Sequence, residues 1–217
     1  MLRFSAVVVA SLMATPVQAA DLYVPATPEP VTAGGFDWSG GYLGAALGGQ
    51  SVRIDAGAAG NISGNAMMGG VFGGVNFQSG NFVYGVEADL EYSGFNQTKP
   101  CTNAAWSCNA YINGQGSLRA RLGFAVDTLL FYTTAGLAIA NGGGSTTSPV
   151  NAVFPDSAVR FGWTAGVGAE AAFNENWFGR LEYRYTDLGS RDMTFDTVYP
   201  GVAVSSHDIR AGLGYRF

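Results

Sequence analysis

From Phe36 onward the chain alternates apolar and polar residues in segments of about ten. Successive side chains on a β-strand point to opposite faces, so such alternation predicts strands with one apolar and one polar wall. Segment 82–93 shows it best: Phe82, Tyr84, Val86, Ala88, Leu90 and Tyr92 share one face, and Glu87, Asp89 and Glu91 fall on the other. In 117–125, Leu118, Ala120, Leu122 and Phe124 stand against Arg119 and Arg121. In 159–172, Phe161, Trp163 and Val167 stand against Arg160, Thr164 and Glu170. Segment 177–186 sets Trp177, Leu181, Tyr183 and Tyr185 against Arg180, Glu182 and Arg184. Segment 208–217 sets Ile209, Leu213, Tyr215 and Phe217 against Asp208, Arg210 and Arg216. Weaker alternation marks 38–48, 67–77 and 129–140, which makes eight strands.

The connections alternate too. Long ones at 49–65, 94–115, 141–158 and 189–205 take turns with short ones at 78–81, 126–128 and 174–176. About ten residues is what a tilted strand needs to cross a bilayer, and short inner turns with long outer loops are the pattern of outer-membrane barrels. Aromatics at strand ends (Phe82 and Tyr92, Trp177 and Tyr185, Tyr215 and Phe217) match the girdles of such barrels. A Greek-key sandwich does not predict strict alternation of loop length. The expected fold is all-β: an eight-stranded antiparallel transmembrane β-barrel over 36–217, an up-and-down meander of the OmpA-like kind.

What precedes the barrel reads as an address. Arg3 supplies a positive start, residues 4–14 form an apolar stretch, and Pro16 breaks it before Val17-Gln18-Ala19. Residues 1–19 are therefore expected to be a secretory signal peptide, cleaved after Ala19 or after Ala20. The absence of a Cys just after that point argues against a lipid anchor. Residues 20–35, rich in proline, read as an extended periplasmic spacer. The expected location is the outer membrane of a Gram-negative bacterium.

Composition narrows the partners. Charged residues are 12% of the chain, about half the share of a soluble domain, so few positions face bulk water. Removing Arg3 with the leader leaves 10 basic against 16 acidic residues and no basic cluster, which excludes nucleic acid. Outer-membrane lipid and lipopolysaccharide are the expected surroundings. Cys101 and Cys108, with an export signal, suggest one disulfide; two unpaired thiols are the alternative reading.

Thirteen charged residues fall on inward faces: Glu87, Asp89, Glu91, Glu170, Glu182 and Asp208, with Arg119, Arg121, Arg160, Arg180, Arg184, Arg210 and Arg216. The signs nearly balance, and every base is Arg, whose planar fork holds carboxylates bidentately. Eight strands leave an interior that side chains just fill. A salt-bridged plug is favoured over a narrow ion path. Catalysis finds little support, since His207, the one histidine, falls outward by parity and Asp208 beside it points the other way. Two Cys and a distant His make no zinc site, and Gly69-Gly70-x-x-Gly73-Gly74 lacks the Lys and helix of a phosphate loop. No cofactor and no metal is expected.

The chain ends Arg210-Ala-Gly212-Leu-Gly-Tyr215-Arg-Phe217, which looks like the signal read by the outer-membrane assembly machinery. With the runs DLYVPATPEPV, FDWSGGYLGAALGG, YGVEADLEYSG, GSLRARLGFAVDTLLFYTTAGLA and GWTAGVGAEAAFNENWFGRLEYRYTDLG, it resembles the small outer-membrane β-barrel proteins of alphaproteobacteria. That group holds surface antigens, hemin-binding proteins and members labelled porins. The resemblance implies a structural or surface-exposed envelope role. The second class is a small porin or a barrel that takes heme or a host surface through its outer loops. No heme signature can be assigned to residues here, and an enzyme comes a distant third.

Overall fold

A computed structural model describes residues 36–57 and 60–217; the leader at 1–19 and the spacer at 20–35 lie outside the described residues. Eight strands follow in order: β1 (Gly40–Asp55), β2 (Asn61–Ser79), β3 (Phe82–Pro100), β4 (Ser107–Val126), β5 (Leu129–Thr147), β6 (Val153–Ala172), β7 (Trp177–Thr194) and β8 (Val198–Arg216). Each pairs antiparallel with the next, and β8 returns to β1, from Tyr42↔Arg216 to Asp55↔Ala203, so the ring closes; toward the outside the β2–β3 ladder ends at Met68↔Ser93 and the β6–β7 ladder at Trp163↔Asp187. The inner turns are as short as the sequence predicts. Gly80 opens one at φ 60° and Asp127 another at φ 52°, the left-handed backbone that tight hairpins require.

The outer connections are not as expected. The segments 49–65, 94–115, 141–158 and 189–205 are mostly strand, and the links that remain are 56–60, 101–106, 148–152 and 195–197. Strands of 16 to 20 residues replace strands of about ten. The expectation failed because it ended each strand where outward apolar residues ended. Ladder hydrogen bonds do not require a lipid-facing side chain.

Outward aromatics mark the apolar band. Tyr84 and Tyr92 on β3, Trp177 and Tyr185 on β7, and His207 and Tyr215 on β8 each stand eight residues apart on the outer wall. Eight residues span roughly 27 Å along a strand, or roughly 21 Å along the axis at a 40° tilt, close to the apolar band of a membrane barrel. Leu47, Leu90 and Leu137 between such levels are 70% exposed or more, a surface that only lipid would cover.

Above the band the polarity of the wall reverses. On β1, Ser51, Arg53 and Asp55 are exposed while Val52 and Ile54 are buried inside. On β2, Asn61, Ser63 and Asn65 face out, and Ile62 and Ala66 pack inward. There the barrel has water outside, so it builds an apolar core as a soluble barrel does. Leu181→Arg, at the middle of the band on β7, is expected to lower folding stability in lipid vesicles by about 2–4 kcal/mol. Asn65→Arg, on the outer wall beyond the band, is expected to change it by less than about 0.5 kcal/mol. Urea titration followed by tryptophan fluorescence measures both, and equal losses would place the band wrongly.

Candidate functional site

The interior has three tiers. The inner mouth is closed by aromatics: Trp38, Tyr42, Phe72 and Phe178 pack with Val83, Ala125 and Leu130. The Trp38 amide donates to Gln78 Oε1 at 2.6 Å, which draws the segment ahead of β1 into the mouth. The Trp38 ring meets Phe36 at 5.0 Å and Phe178 at 6.2 Å, both edge to face, an arrangement the ring quadrupoles favour.

The membrane section holds the charges. Alternation on β3 aims Glu87, Asp89 and Glu91 inward, and β4, β6, β7 and β8 bring Arg119, Arg121, Glu170, Arg180, Glu182, Arg184, Asp208 and Arg210 to meet them. Glu87 is the hub. Its Oε1 binds Arg119 at 2.5 Å, and its Oε2 takes Arg180 at 2.6 Å and the Tyr42 hydroxyl at 2.7 Å. Glu170 joins Arg121 at 2.5 Å to Arg180 at 2.6 Å. Glu182 accepts Arg119 at 2.6 Å and the Tyr132 hydroxyl at 2.7 Å, and also pairs with Arg210. Arg184 gathers Glu91 at 2.5 Å, Asp208 at 3.0 Å and Asp89 at 3.2 Å, and Arg210 closes on Glu91. Two guanidinium groups also lie on rings, Arg121 over Tyr132 at 3.9 Å and Arg180 over Phe72 at 4.0 Å. Gly74 on β2 makes room, because a Cβ there would sit 2.6 Å from the Tyr42 hydroxyl oxygen.

Eleven of the thirteen inward charges thus meet, and two stand apart. Arg216, at the inner mouth, donates to the Glu175 carbonyl at 2.7 Å and lies 4.3 Å over the Phe36 ring. Arg160 lies above the network, where Nη1 donates to the Val202 carbonyl at 2.8 Å. Its Nη2 is buried with no hydrogen-bond partner among the described residues. Burial, then Arg191, pull its pKa below the ordinary arginine value, with Asp156 opposing.

The outer tier is an apolar chamber that sequence reasoning missed, since it read most of these residues as loop. Val52, Ile54, Phe95, Ala110, Ile112, Ala138, Ala140, Leu188, Met193, Val202 and Val204 are buried in it. The signal was present in Ser51-Val-Arg-Ile-Asp55, where alternation continues with its faces exchanged. Within the chamber is a cavity of about 80 Å³. The void between chamber and charges, lined by Gln115, Ser117, Arg184 and Leu188, measures about 10 Å³, no more than one water needs. At the rim, Cys101 and Cys108 form a disulfide with a Cα–Cα distance of 5.2 Å. Asp196 accepts from Thr146 at 2.9 Å and from Tyr199 at 3.0 Å. Burial first, and Asp196 second, raise the Tyr199 phenol above its usual pKa.

Of the remaining residues singled out from the sequence, His207, Tyr215 and Phe217 lie on the outer wall, and Gly212 and Arg210 face the interior. His207 faces out, its Nδ1 2.7 Å from the Tyr183 hydroxyl and its ring 5.0 Å from that of Tyr185. Tyr215 meets Trp177 edge to face at 5.2 Å, and Phe217 is exposed. Gly212 lies against Ala46 and Phe72, and Arg210 is spent on the ion pairs.

Removing the hub should leave Arg119, Arg121 and Arg180 short of a carboxylate in a buried site. Glu87→Ala is expected to cost about 3–5 kcal/mol in urea unfolding from vesicles. Arg216→Ala, at the mouth, should cost under about 1 kcal/mol. A loss at Glu87 no larger than at Arg216 would mean that the pairs contribute little.

The family model described as "Outer membrane protein beta-barrel domain" matches residues 6–217. The 25 kDa outer-membrane immunogenic protein of Brucella abortus biovar 1 (strain 9-941) is 36% identical over 194 residues, covering 89% of this chain and 86% of its own. The 22 kDa outer membrane protein of Rhizobium leguminosarum bv. viciae is 36% identical over 192 residues, covering 88% and 83%. In fold, the chain resembles the outer membrane protein OprG of Pseudomonas aeruginosa, with TM-score 0.50 and 12% identity over 84% of this chain and 98% of that one. The chain belongs to the outer-membrane β-barrel family, and it is an outer-membrane protein whose eight strands form the barrel.

Proposed function

We propose that this protein is a closed, non-catalytic barrel of a Gram-negative envelope that anchors in the outer membrane and displays a stiff rim outside the cell. The observation that carries the reading is the ion-paired tier. Five arginines and six carboxylates fill the membrane section, with an aromatic floor beneath them and a void of about 10 Å³ above. A solute would have to break several buried pairs to pass. A pair broken on one side costs about 3–5 kcal/mol, so the membrane section acts as a plug.

The same residues speak against catalysis. Each inward carboxylate of the network faces an arginine, which leaves none poised as a base, and His207 stands on the outer wall against Tyr183. Heme finds no axial histidine in the interior for the same reason. Surface display is favoured by strands that continue past the apolar band and by relatives named as immunogenic. Export would use the leader at 1–19, and Arg210, Gly212, Tyr215 and Phe217 would be offered to the assembly machinery. Lipid and lipopolysaccharide would surround the wall, and a host surface could meet only the rim.

In planar bilayers the purified protein is expected to show no single-channel steps, whereas Glu87→Ala should raise the leak current. Steady ohmic openings of the unaltered protein would overturn the plug. Sequencing of the membrane-extracted protein is expected to begin at Ala20 or Asp21; a mature chain that keeps residues 1–19 would overturn the export reading.

A further inference from the structure

The outer chamber has a feature that a mere packing core does not need. Its cavity is walled by Ile54, Ile112, Ala140, Leu188, Val202 and Val204, and Arg160 is the one charged residue among the described residues that line it. Every arginine of the membrane section has carboxylates within ion-pair distance, but Arg160 has none. Its Nη1 is held by the Val202 carbonyl, which fixes the guanidinium, and its Nη2 is left buried without an acceptor. Asp156, the acid nearest in effect, already accepts the Thr194 amide at 2.9 Å. A buried donor left unsatisfied costs about 1–3 kcal/mol, more when charged, so this arrangement favours an occupant that brings an anionic oxygen.

The size and lining define the rest of that occupant. One water needs about 10–15 Å³ of such a cavity, so about 80 Å³ admits roughly five to eight groups of that size. We propose that the outer chamber binds a short aliphatic monocarboxylate, its carboxylate on Arg160 Nη2 and its chain among Ile54, Ile112, Leu188 and Val204. Entry is from outside. A wider space of about 460 Å³ at the rim, lined by Cys101, Trp106, Asp196 and Pro200, shares Ala56 and Tyr199 with the chamber. The site is a blind cup over the plug, so binding there does not depend on whether the membrane section conducts.

Butyrate, butan-1-ol and butylamine share a tail and differ in the head, which separates recognition of the anion from simple partition. Methyl carbon-13 spectra of the full protein in nanodiscs report on Ile54, Ile112, Leu188 and Val204. Butyrate is expected to shift these methyls saturably and to bind at least about tenfold tighter than the alcohol, the worth of one charge-assisted hydrogen bond; butylamine should not bind. Arg160→Gln should bring butyrate down to the level of butan-1-ol, and Ala140→Leu, which fills the cavity, should abolish both. No saturable shift with butyrate in the unaltered protein, as when water alone occupies the cavity, would overturn the proposal. Equal affinity for butyrate and butan-1-ol, or shifts confined to methyls outside the chamber, would do the same.

Discussion

Everything in the membrane section answers to one constraint: five guanidinium groups and six carboxyl groups must satisfy each other behind a wall of lipid. Charge buried without a partner is costly, and an eight-stranded barrel has little room for water to repair the loss. The rest of the section is arranged around that fact. Tyr42 and Tyr132 donate to Glu87 and Glu182. Phe72 lies flat beneath Arg180. The glycines of β1 and β2 trade side chains for space, so that long side chains from β3, β4, β7 and β8 can cross the interior. A buried ion network is weak evidence for stability compared with an apolar core. Here the alternative is restricted, since it ties together strands distant in sequence and gives them one register.

The second organising fact is the change of solvent along each strand. Within the band the outside is hydrocarbon and the inside polar, as in Leu90 against Glu91 on β3. Beyond it the outside is water and the inside apolar, as in Arg53 against Ile54 on β1. One ladder of hydrogen bonds runs through both regimes, from Gly40↔Asn76 to Asp55↔Asn61. The backbone does not register the boundary. Only the side chains do.

That difference explains what could be read from the sequence. Strand number, topology, the inner turns and the faces of residues such as Glu87, Arg119 and Glu182 follow from alternation with a fixed sense, and they are legible residue by residue. The inward position of the thirteen charges is legible for the same reason. Their pairing is not, because parity says which way Arg184 points but not that it reaches Glu91, Asp89 and Asp208 across the interior. The chamber was hidden by an assumption about solvent: an exchange of faces at Val52 and Ile54 reads as the end of a membrane strand when it is the continuation of the same strand into water.

The seam between β1 and β8 has a consequence for the order in which the molecule can form. Seven of the eight pairings join neighbours along the chain and can zip from local hairpins, at small loss of loop entropy. The eighth, Tyr42 against Arg216, needs both ends of the barrel chain at once. Arg210 lies on that final strand and reaches Glu91 on β3 and Glu182 on β7. Until β8 docks, those two acids lack part of their countercharge, and the unfinished sheet presents two unpaired edges. Closure therefore completes the ion pairs, Asp208 with Arg184 and Arg210 with Glu91 and Glu182, and joins the two edge strands in one step, which makes the last strand to arrive a latch: partly assembled barrels should be poorly held together, and finished ones slow to reopen.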